Sequence, residues 1–294
     1  MMVKNISILR IKFKEYKRSP FSLFLFIIVC ASAVITLLSF LFVVGYILIK
    51  GIPNLTPSLF ALKYTSENVS LLPAIVNTLF MTVLSLLFAV PVGIGSAVYL
   101  TEYAKRGNRF VGIVRITAET LSGIPSIVYG LFGSLFFVMT LKLGLSLLSG
   151  ACTLAIMILP LIMRTTEEAI IAVPDSYREG SYGLGAGRLR TVLKIVLPSA
   201  IPGILSGVIL GIGRIVGESA ALIYTAGTVP EIAESVFDST RTLSVHMYAL
   251  SSEGLYINQT YATAVVLLII VVGINALSGF FAKKLAEGSQ NGKV

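Results

Sequence analysis

Residues 175–198 read DSYREGSYGLGAGRLRTVLKIVLP, a polar, glycine-punctuated stretch set between two long apolar segments. Asp175-Ser176 can cap a short helix that starts near Tyr177 and carries Arg178 and Glu179. Gly183, Gly185 and Gly187 then bend or break it. A second helical piece, Arg188 to Leu197, places Leu189, Val192, Leu193 and Val196 on one face, and Pro198 and Pro202 flank the return into apolar sequence. A short helix, a flexible turn and a stiff amphipathic arm make a knob suited to a cleft on another protein. The competing reading is an amphipathic loop lying among lipid headgroups.

Composition places the rest of the chain in a bilayer. Of 294 residues, 55% are hydrophobic and 13% charged, and the mean hydropathy is +0.90; a soluble domain of this make-up would leave far too much apolar surface wet. Spanning helices need roughly 20 apolar residues. Six segments qualify: about Phe21 to Ile49, Leu71 to Leu100, Ser122 to Leu141, Leu143 to Met163, Ser199 to Tyr224 and Tyr261 to Ala282. The expected class is an all-α integral membrane protein.

Charge sets the orientation. Eighteen of the 23 Lys and Arg residues fall in the N-terminal tail, the second and fourth loops and the C-terminal tail; Lys50, Lys63, Lys142 and Arg241 fall on the alternate loops. The positive-inside rule then puts both termini in the cytosol. The expected organisation is a cytosolic tail over 1–20, one transmembrane domain over 21–283 with its cytosolic loop at about 164–198, and a cytosolic tail over 284–294. A net charge of +9 is thereby explained by topology, and its scatter along one membrane face gives no groove for nucleic acid. The first apolar run exceeds a signal peptide's h-region and is read as a retained anchor. Cys30 and Cys152 lie inside apolar runs, where core packing is expected.

Arg214, the twenty-third cation, sits with Glu218 inside the fifth span. Each alone costs roughly 2.5–3.5 kcal/mol at a helix centre. At i, i+4 on one helix they share a face and can pair. Intramembrane ionisable groups mark substrate pathways by default, and a guanidinium, always charged and fork-shaped, fits phosphate or carboxylate oxygens. Glu218 would repel an anion unless it accepts a hydrogen bond from a protonated oxyanion, which phosphate supplies near neutral pH and sulfate does not. Gly203, Gly207 and Gly211 recur every fourth residue on the same span and are read as close packing within the chain, ahead of a dimer seam.

Other polar residues give weaker signals. Ser126 and Tyr129 follow Pro125, where a bend exposes backbone and hydroxyls to a cavity or simply packs. Asn77 and Thr78 open the second span and satisfy neighbouring helices or line the path. Glu119 reads as interfacial. His246 has no second metal-type ligand nearby and reads as a partly solvated external residue. Segment 226–260 reads as a mostly solvated face in which Ile232, Val236 and Phe237 can pack a short surface helix. No G-x-x-x-x-G-K-[ST] phosphate loop occurs, so Gly183-x-Gly185-x-Gly187 is a turn and any ATPase lies on another chain.

Glu179-Gly180-Ser181-x-x-x-Gly185, nine residues, then Ile195-x-Leu197-Pro198 resembles the "EAA" loop of bacterial ABC-importer permeases, with Gly180-Ser181 in place of two alanines. SGIPSIVYG (residues 122–130), GRIVGESAAL (213–222), YTAG (224–227) and VHMY (245–248) are similar to the phosphate-specific ABC permeases, the PstA-type subunit in particular. The likeness covers most of the chain from Asn77 onward. It implies a type I ABC importer permease fold with six transmembrane helices in a bacterial or archaeal plasma membrane. It also implies a phosphate path through Arg214 and Glu218, to which Ser126, Tyr129 and Asn77 are added as candidates. ATPase coupling falls to Tyr177, Arg178, Glu179, Gly180, Ser181, Gly185, Ile195, Leu197 and Pro198. The implied partners are a homologous permease subunit (PstC-like), a dimeric ATPase (PstB-like) and an extracytoplasmic phosphate-binding protein (PstS-like). No cofactor belongs to this chain, ATP and Mg2+ being held by the ATPase. A permease for another small anion, or a membrane signalling or scaffold subunit, is the alternative.

Overall fold

The structure, a computed structural model, describes residues 20–105 and 107–291. Most of the basic N-terminal tail, Arg106 and Lys293 lie outside them. The described residues are helical with no strand: α1 (Pro20–Gly51), α2 (Leu72–Val98) with a π turn at Tyr99–Tyr103, α3 (Arg109–Ser122), and α4 (Ser126–Gly133) with a π segment at Ser134–Thr140. There follow α5 (Leu147–Ile171), α6 (Asp175–Gly183), α7 (Arg188–Thr191), a π turn at Val192–Val196, α8 (Leu197–Gly217), α9 (Ala220–Ile223), α10 (Leu243–Glu253) and α11 (Ile257–Asn291).

Five helices are long and apolar enough to cross a membrane, and the sixth expected span is the pair α3–α4, bent by 103°. The third span is therefore not the single helix expected over Ser122 to Leu141. Pro125 explains the break: it has no N–H to donate, holds φ at −58° and ψ at 140°, and drives the residue before it out of the helical region.

The fifth span departs from expectation at both ends. The loop's second arm and the span form one helix, from Arg188 to Gly217. The π turn at Val192–Val196 lies just ahead of Pro198, where an extra residue per turn absorbs the proline's lost donor and ring clash. At the other end the helix stops at Gly217, and Glu218 is extended, with ψ 130°. Glu218 instead accepts the Ala221 N–H at 3.2 Å, a local side-chain bond that competes with continued helix.

The core lies where α2, α5 and α8 cross. Met81, Leu154, Ile158, Ile162, Ile215 and Leu222 are fully buried there. The glycine row of α8 faces α5: a Cβ on Gly203 would meet Ala169, and one on Gly207 would meet Thr165. Close backbone approach within the chain is thus the use of this stripe. No residue in the apolar window of α1 is buried. Cys30 is exposed on that helix, so the core packing expected of it is not found.

Segment 226–260 is not a mostly solvated face. Asn77 of α2 donates from Nδ2 to the Glu231 carbonyl at 2.8 Å and accepts the Ala233 N–H at 3.0 Å. Thr78 Oγ1 accepts the Leu243 N–H at 2.8 Å. These bonds draw the segment onto the end of α2, and residues 240–246 are buried there. The short helix expected around Ile232, Val236 and Phe237 does not form, because Asp238 Oδ2 takes the Glu234 and Ser235 N–H groups at 3.0 and 2.7 Å. Phe237 is left exposed. His246, expected to be partly solvated, is fully buried in α10.

Candidate functional site

Arg214 occupies the last turn of α8 and is half-buried. The break at Glu218 overturns the expected i, i+4 pairing, since no ion pair joins the two among the described residues. The cation sits favourably near the negative end of the helix dipole. It lies about 39 Å of helix rise beyond Arg188, so it belongs to the half of the span remote from the knob rather than its centre. The Tyr129 hydroxyl is close enough to feel its charge. Tyr129 is itself buried and donates to the Leu121 carbonyl at 2.7 Å, which ties α4 back to α3 across the bend. Ser126, the first residue of α4, is half-buried. Asn77 stands apart: both ends of its amide are engaged by the segment it clamps.

The knob is sorted by burial. Leu184 is 91% exposed at its tip, beside Gly185 with φ +79°, a conformation that favours glycine. Glu179, Gly180 and Pro198 are exposed, while Tyr177, Ile195 and Leu197 are half-buried. A groove of about 540 Å³ runs between α6 and the following arm, lined by Tyr177, Gly180, Leu184 and Ile195 among others. The expected one-faced arm is divided, Val192 and Val196 facing in and Leu189 and Leu193 out. The N-terminus of α6 differs too: Pro174 precedes it and no side chain caps it.

Two coupling candidates point inward. Ser181 is buried, and its hydroxyl lies 2.8 Å from that of Thr191, fastening α6 to the arm. Arg178 spans the Glu102 carboxylate and the Val173 and Ile170 carbonyls, so one guanidinium joins α6, the end of α5 and the end of α2. Sequence reading missed Glu102. The available signal was a lone carboxylate closing an apolar span, beside an arginine-bearing loop. Glu119 is exposed and stands 3.9 Å from Arg164, as an interfacial residue would.

Residues 89–288 match the family described as "Binding-protein-dependent transport system inner membrane component". The chain belongs to that family. The permease is 34% identical over 241 residues to the "Probable ABC transporter permease protein YqgI" of Bacillus subtilis (strain 168), covering 77% of this chain and 81% of the relative. It is 31% identical over 211 residues to the "Phosphate transport system permease protein PstA" of Mycobacterium leprae (strain TN), covering 71% of this chain and 69% of the relative. Among solved structures, a bacterial ABC transporter involved in the import of the acidic polysaccharide alginate superposes with a TM-score of 0.61 at 19% identity, over 90% of this chain and 97% of that one. At that identity the likeness shows the fold, which is the importer permease fold expected. The permease is thus a multi-pass membrane subunit of an ABC importer, not an ATPase, and similar to PstA-type subunits.

Proposed function

We propose that the permease carries inorganic phosphate inward, as half of a translocation path shared with a homologous PstC-like subunit. The observation that carries this reading is Arg214. It is a half-buried guanidinium in an apolar span, with no hydrogen bond or ion pair among the described residues, and its fork suits two oxygens of a tetrahedral anion. Glu218 commits Oε1 to the Ala221 N–H, which leaves its second oxygen to accept from a protonated phosphate. Tyr129 stands within reach of the Arg214 charge and Ser126 opens the same helix; Asn77 serves by holding the rim. Similarity to phosphate permeases supports the choice of anion.

In this reading the knob faces the cytosol with both termini, and a PstB-like ATPase dimer, binding ATP and Mg2+, grips the exposed surface around Glu179, Leu184 and Gly185. Two rigid routes lead away from it. One is the unbroken helix from Arg188 to Arg214; the other passes from Arg178 to Glu102 and into α2. A PstS-like protein would deliver phosphate to the opposite face. The test is labelled phosphate uptake by the permease reconstituted with its ATPase and partner permease, wild type against Arg214→Gln. Loss of uptake in the variant with ATPase assembly intact is expected. Undiminished uptake, or failure of phosphate to be taken up at all, overturns the reading.

A further inference from the structure

The face opposite the knob hides a second guanidinium. Arg241 is 4% exposed, and its Nε and Nη2 are enclosed without a hydrogen-bond acceptor. It joins no ion pair among the described residues. Its Cζ stands 4.7 Å from the centre of the Tyr64 ring, and that ring meets the His246 imidazole edge-on at 6.2 Å. Both nitrogens of His246 are enclosed as well and make no well-formed hydrogen bond, the nearest partner being the backbone of Val69. Of the five such atoms among the described residues, four belong to these two side chains. Scattered packing faults would not gather in one place.

The cluster is held shut by its surroundings. Asn77 and Thr78 pin the segment that carries Arg241. Val69, fully buried beyond Tyr64, has φ 46°, which a β-branched side chain rarely adopts and which the neighbouring structure must enforce. A ring face attracts a cation but offers no lone pair for Nε–H or Nη2–H, and a buried charge is tolerated when acceptors meet its donors. Those two donors lie side by side on the guanidinium, a fork fitted to two oxygens of one tetrahedral oxyanion. His246 is kept neutral, its pKa lowered to about 3 by burial and then by Arg241. A neutral imidazole keeps one nitrogen as an acceptor, and a protonated phosphate brings the hydroxyl to meet it. Chloride could use the donors but not the acceptor.

We propose that Arg241 and His246, floored by Tyr64, form a second oxyanion site, closed over in this conformation, for phosphate on its way to Arg214. The two places are linked. Ser244, between Arg241 and His246, donates to the Gly217 carbonyl at 3.0 Å, next to Glu218 and one turn beyond Arg214. The assignment of phosphate rests on the proposed function; the existence of an oxyanion site does not.

Thermal unfolding of the full-length chain in lipid nanodiscs tests it, with sodium phosphate against sodium sulfate and sodium chloride at equal ionic strength. Phosphate is expected to raise the unfolding midpoint of wild type and, with Arg214 removed as a binding group, still to raise that of Arg214→Gln. In the Arg214→Gln background, Arg241→Gln should abolish that remaining shift, and Arg241→Lys, which keeps the charge and loses the fork, should raise the half-saturating phosphate concentration by at least about tenfold. His246→Gln should narrow the preference for phosphate over sulfate. An Arg214→Gln midpoint that phosphate does not move beyond chloride, or an Arg241→Gln or Arg241→Lys substitution in that background that responds like Arg214→Gln alone, overturns the site. No ATPase or uptake enters this assay. An Arg241-dependent shift without phosphate uptake would retain the site and sink the import reading, and uptake without the shift would do the reverse.

Discussion

Arg178 reaches the Glu102 carboxylate from two nitrogens, Nε at 3.0 Å and Nη2 at 2.8 Å, and so joins the knob to the end of α2 across 76 residues of sequence. Glu102 is buried, which makes the contact a strut between two elements rather than a surface pair. Glu102→Gln should lower stability by about 1.5–3 kcal/mol, the scale of a charged hydrogen bond. In the assembled importer it should also lower the amount of substrate imported per ATP hydrolysed. The swapped double variant, Glu102→Arg with Arg178→Glu, should restore part of both. A Glu102→Gln permease with unchanged unfolding and unchanged coupling ratio would remove the strut from the mechanism.

The glycine row on α8 makes a second prediction. A Cβ at Gly207 would run into the Thr165 side chain, whereas one at Gly217 meets nothing within 4 Å. Gly207→Val should therefore cost about 1–3 kcal/mol through overpacking against α5, read as a lower unfolding midpoint. Gly217→Ala should move that midpoint far less. Equal effects at the two positions would mean that α8 and α5 are not in close register.

The fold was largely legible because its signals are local. Apolar runs longer than a bilayer needs fix five spans, and proline and glycine spacing outlines the knob. The errors came where a side chain overrode periodicity. Glu218 lies in an apolar run that reads as helix through Tyr224, but its carboxylate takes the Ala221 N–H and the helix ends. Arg241 and His246 look solvated because they fall in an external segment that carries Glu231, Glu234, Asp238 and Glu253; they are buried because Asn77 and Thr78, about 165 residues away in sequence, bind their segment's backbone. Arg178 and Ser181 fell in the right motif, yet sequence alone gave no means of telling which residues face a partner and which face Glu102 or Thr191.

Burial of His246 predicts a pH dependence with a definite sign. The unfolded chain protonates this histidine below about 6.5, while the folded chain holds it neutral down to about 3, through burial and the Arg241 charge. The unfolded state therefore binds the extra proton across this window, and stability from this group, intact above about 6.5, is lost as pH falls toward 3. The loss approaches roughly 1.4 kcal/mol per pH unit at most. In phosphate-free buffer, unfolding midpoints for wild type and His246→Gln should diverge in slope between pH 6 and pH 4 (about one to three units below neutrality). Parallel slopes would place the imidazole in water.

The proposed phosphate path gives Glu218 a testable part in selectivity. With Oε1 held by the Ala221 N–H, its remaining oxygen can accept from a protonated phosphate but has nothing to accept from sulfate. Glu218→Gln replaces one carboxylate oxygen with a donor and should narrow the phosphate-over-sulfate preference in uptake competition by about tenfold, the effect of roughly 1.4 kcal/mol. An unchanged preference would confine Glu218 to its structural bond.

Leu184 gives the sharpest test of the knob. A leucine 91% exposed at the tip of a short helix has no packing role in its own chain, and the positive φ of Gly185 beside it holds it outward. Burying such a side chain in a partner's cleft contributes about 1.5–3 kcal/mol, so Leu184→Ala should weaken ATPase binding by about tenfold or more. Leu184→Asp, which would force a carboxylate into the same apolar contact, should weaken it further. Neither should shift the unfolding midpoint of the permease alone. Ser181→Ala should do the opposite, loosening the buried tie to Thr191 and destabilising the chain while leaving the gripping surface in place. If Leu184→Asp binds the ATPase as wild type does, the amphipathic loop rests on lipid headgroups and the force enters elsewhere.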